Sequence, residues 1–330
     1  MTEHDHHEPA GSPSVLTDEG AGGLVRVRQH SPGGLPDTPG LPSGMVRVRL
    51  DLEYDGTDFV GWATQPGLRS VEETLQEALA RVTRQPFAAL ALTVAGRTDS
   101  GVHATGQVAH VDLPIEAWER VPGRSADTPA VSLVRRLRGV LPPDVRVRRA
   151  EPAAPGFDAR FSALRRRYAY RVGDGIAGVP PLRRFDVLGH RGVLDVPAMH
   201  RASVRLQGLN DFAAYCRPRE GATTIRHLLE YSWSRDDAGF AVARVIADAF
   251  CHSMVRALVG AALAVGEGRR PQEWPEQVLA GRRRDSAVGV VPALGLTLEE
   301  VYYPGADGLA ARAQEARATR RLPGAGCTEG

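Results

Sequence analysis

The stretch Val94–His110, VAGRTDSGVHATGQVAH, constrains this chain more than any other. Upstream, Leu90-Ala91-Leu92-Thr93-Val94 is apolar and partly β-branched; downstream, Gln107–Leu113 alternates polar and apolar residues with period two. Both flanks predict strands. The glycine-rich piece between them predicts a loop on a rigid mount, where binding and catalytic groups tend to sit. Asp99 is the only carboxylate of that loop, with Arg97 two residues before it and His103 four after. A carboxylate beside a guanidinium is expected to stay ionised, which suits a nucleophile or an electrostatic stabiliser better than a general acid. An Asp in a turn also accepts hydrogen bonds from loop N–H groups, and residue types alone leave that role open.

Around this loop the patterning predicts two similar halves. Val46–Tyr54 alternates as a strand with one wet face. Ser70-Val71-Glu72-Glu73 is a capping box, and the helix behind it sets Val71, Leu75, Ala78, Leu79 and Val82 on one stripe. With the strands about the Asp99 loop, this half reads β-α-β-β. A helix over Pro129–Leu141, with proline suited to its first turn, and a strand over Val145–Ala150 close it. The second half predicts strands over Leu164–Val172, Thr224–Ser234 and Phe240–Ala247, and helices over Val196–Gln207 and His252–Val265. A short helix over Pro271–Leu279 and a strand over Leu296–Tyr303 follow. The fold class is α+β: two β-α-β-β type subdomains with a joined, mainly antiparallel sheet flanked by helices. The expected divisions are a disordered acidic tail over 1–44, a first subdomain over 45–150 carrying the Asp99 loop, a second over 151–304, and a tail over 305–330. That last tail is expected to form a frayed helix and to add no clear core.

Composition narrows the class. No apolar run approaches the roughly 20 residues of a spanning helix, and the polar, acidic start does not read as a signal peptide, so a soluble cytoplasmic protein is expected. The three cysteines (Cys216, Cys251, Cys327) are far apart and form no CxxC pair, which argues against disulfides and a zinc site. His4, His6 and His7 read as a solvated run in the tail. Residues 1–44 hold six acids and two arginines, a net −4, and the remainder holds 39 arginines against 33 acids, a net +6. There is no lysine; arginine suits phosphate and stacks on bases, although a G- and C-rich genome gives the same bias. Gly173-Asp174-Gly175-Ile176-Ala177-Gly178 fits GxGxxG, but Pro180-Pro181 follows at once and no helix can start there to hold a pyrophosphate.

GRTDSGVHATGQVAH closely resembles the signature loop of the TruA family of tRNA pseudouridine synthases, with Asp99 at the position of the nucleophile. The likeness recurs at Leu52–Trp62, Phe157–Tyr170, Gly208–Arg226, Ala247–Gly266 and Gly289–Pro304, in the family's order and spacing, and covers essentially Val46–Pro304; Pro114–Asp144 fits it loosely. The resemblance implies isomerisation of uridine to pseudouridine at positions 38, 39 and 40 of the anticodon arm of tRNA, with attack by Asp99 at C1′ or C2′ of the ribose. It implies that Tyr168, which follows three arginines in a strand, stacks on the target uracil, and that Arg97 helps drive the nucleotide out of its stack. Arg256, at the edge of an apolar helix whose Met254, Ala257, Leu258 and Ala261 share the buried stripe, is expected to pair with Asp99. His103 is expected either to contact phosphate or to brace the loop. No cofactor and no metal are expected, and the partners implied are tRNA and a second copy of the chain, with no membrane. Two readings from other classes stay open: a non-catalytic RNA-binding protein on the same scaffold, and an aspartic-type hydrolase suggested by Asp99-Ser100-Gly101. The second needs two carboxylates sharing a proton, and no other Asp-Ser/Thr-Gly is present.

Overall fold

A computed structural model describes residues 41–218 and 223–317. The disorder expected of the acidic tail, its three histidines and Cys327 lie outside the described residues, apart from positions 41–44. The first half contains β1 (Met45–Tyr54), α1 (Val71–Thr83), β2 (Leu92–Val94), β3 (His103–Pro114), α2 (Ile115–Arg120), α3 (Pro129–Val140) and β4 (Val145–Pro152). The second contains β5 (Arg165–Gly173), β6 (Leu188–Gly189), α4 (Val196–Val204), β7 (Gly208–Asp211), β8 (Ile225–Arg235), β9 (Ala241–Ala247), α5 (Met254–Gly266), α6 (Trp274–Ala280), β10 (Leu296–Tyr302) and α7 (Leu309–Glu315).

The strands form one sheet in the order β4-β1-β3-β10-β5-β9-β8-β7, with β2 on β3 and β6 on β5. The two halves meet where β10 runs parallel to β3 through two register pairs, His103 with Thr297 and Ala104 with Leu298; β10 then pairs antiparallel with β5. Among the described residues the only other parallel pair is β5 with β6, so the sheet is mainly antiparallel, as the patterning predicts.

Local signals account for most elements. The alternation of β1 becomes strict: Val46, Val48, Leu50, Leu52 and Tyr54 are buried and the residues between them are half-exposed. Ser70 caps α1 by accepting from the Glu73 N–H, and the predicted stripe of α1 is buried in full. Two strips of structure lack a sequence signal. α2 is only six residues long and starts directly after Pro114, and β7 is a four-residue edge whose order comes from pairing with β8.

Three expectations need correction. Cys216 and Cys251 are joined in a disulfide, with Cα atoms 5.7 Å apart and a sequence separation of 35. The turn after β7 and the turn before α5 meet in space, a proximity that sequence spacing conceals. The C-terminal tail does contribute core, because Leu309 and Ala313 of α7 are buried. And α5 begins at Met254 instead of His252, because Ser253 takes a left-handed backbone (φ 62°) that ends the preceding segment before the helix can start.

His110, on β3, supplies a pH-dependent element of stability. It is buried, and its Nδ1 accepts a hydrogen bond from the Ala159 N–H at 3.1 Å. Burial, aided by the charge of Arg47, pushes its pKa down to about 4. An unfolded histidine takes up a proton below about pH 6.5, whereas the folded one stays neutral until about pH 4. The unfolded state therefore binds more protons across that window, and stability falls as the pH drops through it, by up to about 3 kcal/mol. Denaturant titrations between pH 7 and 4 should show this loss in the wild type and a flatter profile in His110→Asn, which keeps an acceptor but cannot titrate. Equal slopes would show that other groups carry the effect.

Candidate active site

Asp99 sits on the loop between β2 and β3, held against the Gly56–Trp62 segment. The Trp62 N–H donates to Thr98 O at 3.0 Å, the Gly101 N–H donates to Phe59 O at 3.2 Å, and Gly61 forms a bridge with Asp99. Gly61 has φ +112°, and a Cβ there would lie 2.7 Å from Thr98 O, so a side chain would hold the two loops apart. Underneath, Thr98 Oγ1 and the Tyr54 hydroxyl lie 2.8 Å apart, and Gln107 Nε2 donates to Gly96 O at 2.9 Å and to the Tyr54 hydroxyl at 3.2 Å. Burial raises the Tyr54 pKa to about 12, so this network stays a neutral one.

A buried arginine ties the loop to the other half. Arg166 of β5 donates to Ala95 O at 2.6 Å, to Arg160 O at 2.9 Å and to Asp248 O at 2.6 Å. One guanidinium thereby holds the root of the Asp99 loop and the end of β9 together. The sequence shows only a run of three arginines. Their alternation is decisive: Arg166 points into the core, Arg167 pairs with Glu299 and Glu300 of β10, and Arg165 lies over the Tyr302 ring.

The Asp99 side chain is 32% exposed and is flanked on both oxygens. Arg256 Nη1 lies 3.8 Å from Oδ2, and His252 Nε2 lies 3.7 Å from Oδ1. Both approaches are longer than a hydrogen bond. Arg256 is itself oriented by donating from Nε to Val291 O at 2.7 Å, while Met254, Ala257, Leu258 and Ala261 fill the core as the helical stripe predicts. The pairing expected of Arg256 is thus present as proximity to Asp99.

Arg97 is not the cation beside Asp99. It is exposed and makes no hydrogen bond or ion pair among the described residues, so the neighbour in sequence projects into solvent. The arginine and the histidine beside the carboxylate come from the β9–α5 region, about 150 residues further along the chain. His252 had no assigned role in the sequence reading; its one available signal was a position one helical turn before Arg256.

Tyr168 lies on β5, 7% exposed, with its ring edge-on to Phe250 at 5.1 Å. Its hydroxyl has no hydrogen-bond partner among the described residues. Burial raises its pKa above the ordinary tyrosine value, so the phenol is neutral. Tyr170, two residues on, is a core residue whose hydroxyl donates to Pro292 O at 2.8 Å. His103 is buried, with Nδ1 3.1 Å from both the Gly56 N–H and Asp55 Oδ1, and Nε2 3.2 Å from Leu294 O. Both ring nitrogens are occupied and turned inward. Of the two roles open to His103, this geometry fits bracing the loop.

This arrangement can present one part-exposed carboxylate, on a braced loop, between an arginine and a histidine. The Gly-rich segment after β5 opens no helix before Val196, apart from one short turn at Pro181–Arg183, so it offers no dinucleotide cradle.

Comparison with known proteins places this fold and site in a class. A family model described as tRNA pseudouridine synthase matches residues 202–304. A tRNA pseudouridine synthase A of Streptomyces griseus is 59% identical over 285 residues, covering 86% of this chain and 97% of the relative. One from Frankia casuarinae is 58% identical over 283 residues, covering 86% and 98%, and one from Mycobacterium leprae is 50% identical over 272 residues, covering 81% and 93%. The chain belongs to the tRNA pseudouridine synthase family. Membership of this family of enzymes supports neither a hydrolase nor a non-catalytic binding protein as a reading of the chain.

Proposed function

We propose that this chain isomerises uridine to pseudouridine at positions 38, 39 and 40 in the anticodon arm of tRNA, with Asp99 as the nucleophile. The observation that carries the reading is the Asp99 carboxylate itself: part-exposed, rigidly mounted and flanked by Arg256 and His252 at 3.8 and 3.7 Å. Asp99 forms a bond to the ribose, the N1–C1′ bond breaks, and uracil leaves with the electron pair. The base turns, C5 bonds to C1′ as the bond between Asp99 and the ribose breaks and the carboxylate is released, the C5 proton is lost to solvent and N1 takes up a proton; substrate and product have the same atoms. Arg97, exposed and uncommitted, fits the task of entering the stem and displacing the target nucleotide. Tyr168 lies close enough to Asp99 for the carboxylate to help keep its phenol un-ionised, and it offers a ring face and a neutral hydroxyl to the extruded uracil. The likeness to named tRNA-modifying relatives over most of the chain supports tRNA as substrate.

The working form is proposed to be a cytoplasmic homodimer, with tRNA crossing a basic cleft made by both subunits. The net +6 of residues 45–330 is compatible with a polyanionic partner.

Incubation with tRNA carrying tritium at C5 of uridine tests the reading. Each turnover should release one tritium, and replacing the uridines at 38, 39 and 40 with cytidine should abolish release. A tRNA that still loses label after those replacements would move the target elsewhere, and no release from any tRNA would remove the activity.

A further inference from the structure

His252 stands outside every role assigned above, yet it is the only group beside Oδ1 of Asp99 recorded among the described residues. Its position is built. The left-handed Ser253 (φ 62°) turns the chain between His252 and α5, a backbone state that a residue with a side chain adopts at a cost and that recurs at functional sites. The Arg217 N–H donates to the His252 carbonyl at 3.0 Å. Cys251, the preceding residue, is bonded to Cys216, and Phe250 packs edge-on against Tyr168. The backbone is thus fixed on both sides while the imidazole, 44% exposed, reaches toward the carboxylate.

We propose that His252 is a positioning residue for Asp99, holding Oδ1 while Arg256 holds Oδ2. The proposal rests on the nucleophilic role of Asp99. A carboxylate held by one oxygen can still rotate about its Cβ–Cγ bond. A second donor on the other oxygen fixes the plane of the group, and so the direction from which a lone pair meets the ribose. The approaches of 3.7 and 3.8 Å are those of an open site, and such contacts tighten once substrate excludes water. The left-handed Ser253 serves this arrangement: a helix begun two residues earlier would carry His252 around the α5 axis and away from Oδ1.

Single-turnover tritium release and tRNA binding, measured on wild type, His252→Ala and His252→Gln, test the proposal. His252→Ala should lower the rate at saturating tRNA by roughly 10- to 100-fold, with Kd for tRNA within about twofold and an unchanged melting temperature. His252→Gln, which retains a donor, should recover much of that loss. Unchanged turnover in His252→Ala would overturn the proposal, as would weaker tRNA binding at an unchanged rate, which marks a phosphate contact. Equal losses in both variants with a lowered melting temperature would assign a structural role instead. A wild type that releases no tritium sinks the underlying reading and this proposal with it, whereas an active wild type with an unaffected His252→Ala sinks this proposal alone.

Discussion

Replacing Asp99 with Asn should lower turnover by about 10⁴-fold or more while leaving the melting temperature and tRNA affinity near wild type. The two side chains are nearly the same size, and Asp99 makes no side-chain hydrogen bond in the loop; its contacts there run through its backbone. Among the described residues its carboxylate approaches only Arg256 and His252, both beyond hydrogen-bond length. The amide therefore has no structural bond to break, and its loss is confined to nucleophilicity and charge. An amide oxygen is a poor nucleophile and cannot offset the charge of the guanidinium, and removing the attacking group costs on the order of 10⁴- to 10⁶-fold in enzymes with covalent intermediates. A factor of 10⁴ corresponds to about 5.5 kcal/mol of transition-state stabilisation. Tritium release and a binding assay on the same preparation separate the two quantities. A variant that turned over within tenfold of wild type would show that some other group attacks the sugar, and a collapse in melting temperature would return Asp99 to the role of a turn acceptor.

Gly106→Ala should unfold or split the molecule at its seam. Gly106 lies on β3 opposite the bulge of β10, and a Cβ there would sit 2.0 Å from Glu299 O and 2.6 Å from Glu299 C. Both clashing atoms are backbone, so no side-chain rotation relieves them. β3 and β10 are in register at only two residue pairs, and separating them by the ångström or more that a methyl group needs would pull at the strand that starts with His103 and follows the Asp99 loop. Overpacking of this kind costs about 3 kcal/mol or more, or roughly 6–12 °C in melting temperature for a domain of this size. The loss of activity should exceed what the unfolded fraction explains, because the Asp99 loop and Arg256 come from opposite sides of the seam. Wild-type melting and turnover would show that the sheet yields at this point.

Much of this architecture was legible in the sequence. Period-two and helical patterns located the long strands and helices to within a few residues, because burial of one face enforces those periods in β1 and α1. The signature loop marked Asp99, and the apolar helix marked Arg256 as an arginine in need of a carboxylate. What stayed hidden is what depends on distant partners. Arg97 is two residues from Asp99 in sequence yet turns to solvent, while Arg256 and His252 reach the carboxylate from another part of the chain. The inward turn of Arg166 needs the Ala95 and Asp248 carbonyls, which no local pattern announces. The disulfide, the edge strand β7 and the burial of Leu309 share this origin: each is created by a neighbour supplied elsewhere in the fold.

The placement of β10 bears on how the protein is made. It is the last strand among the described residues, yet it lies between β3 and β5 at the centre of the sheet. During synthesis, β3 and β5 must therefore emerge and wait, each with an open edge, until the chain as far as Tyr302 has left the ribosome. A product of premature termination before residue 296 would lack the strand that joins its halves and would expose two adhesive edges, so quality control by proteolysis or chaperone capture is the fate expected of such fragments.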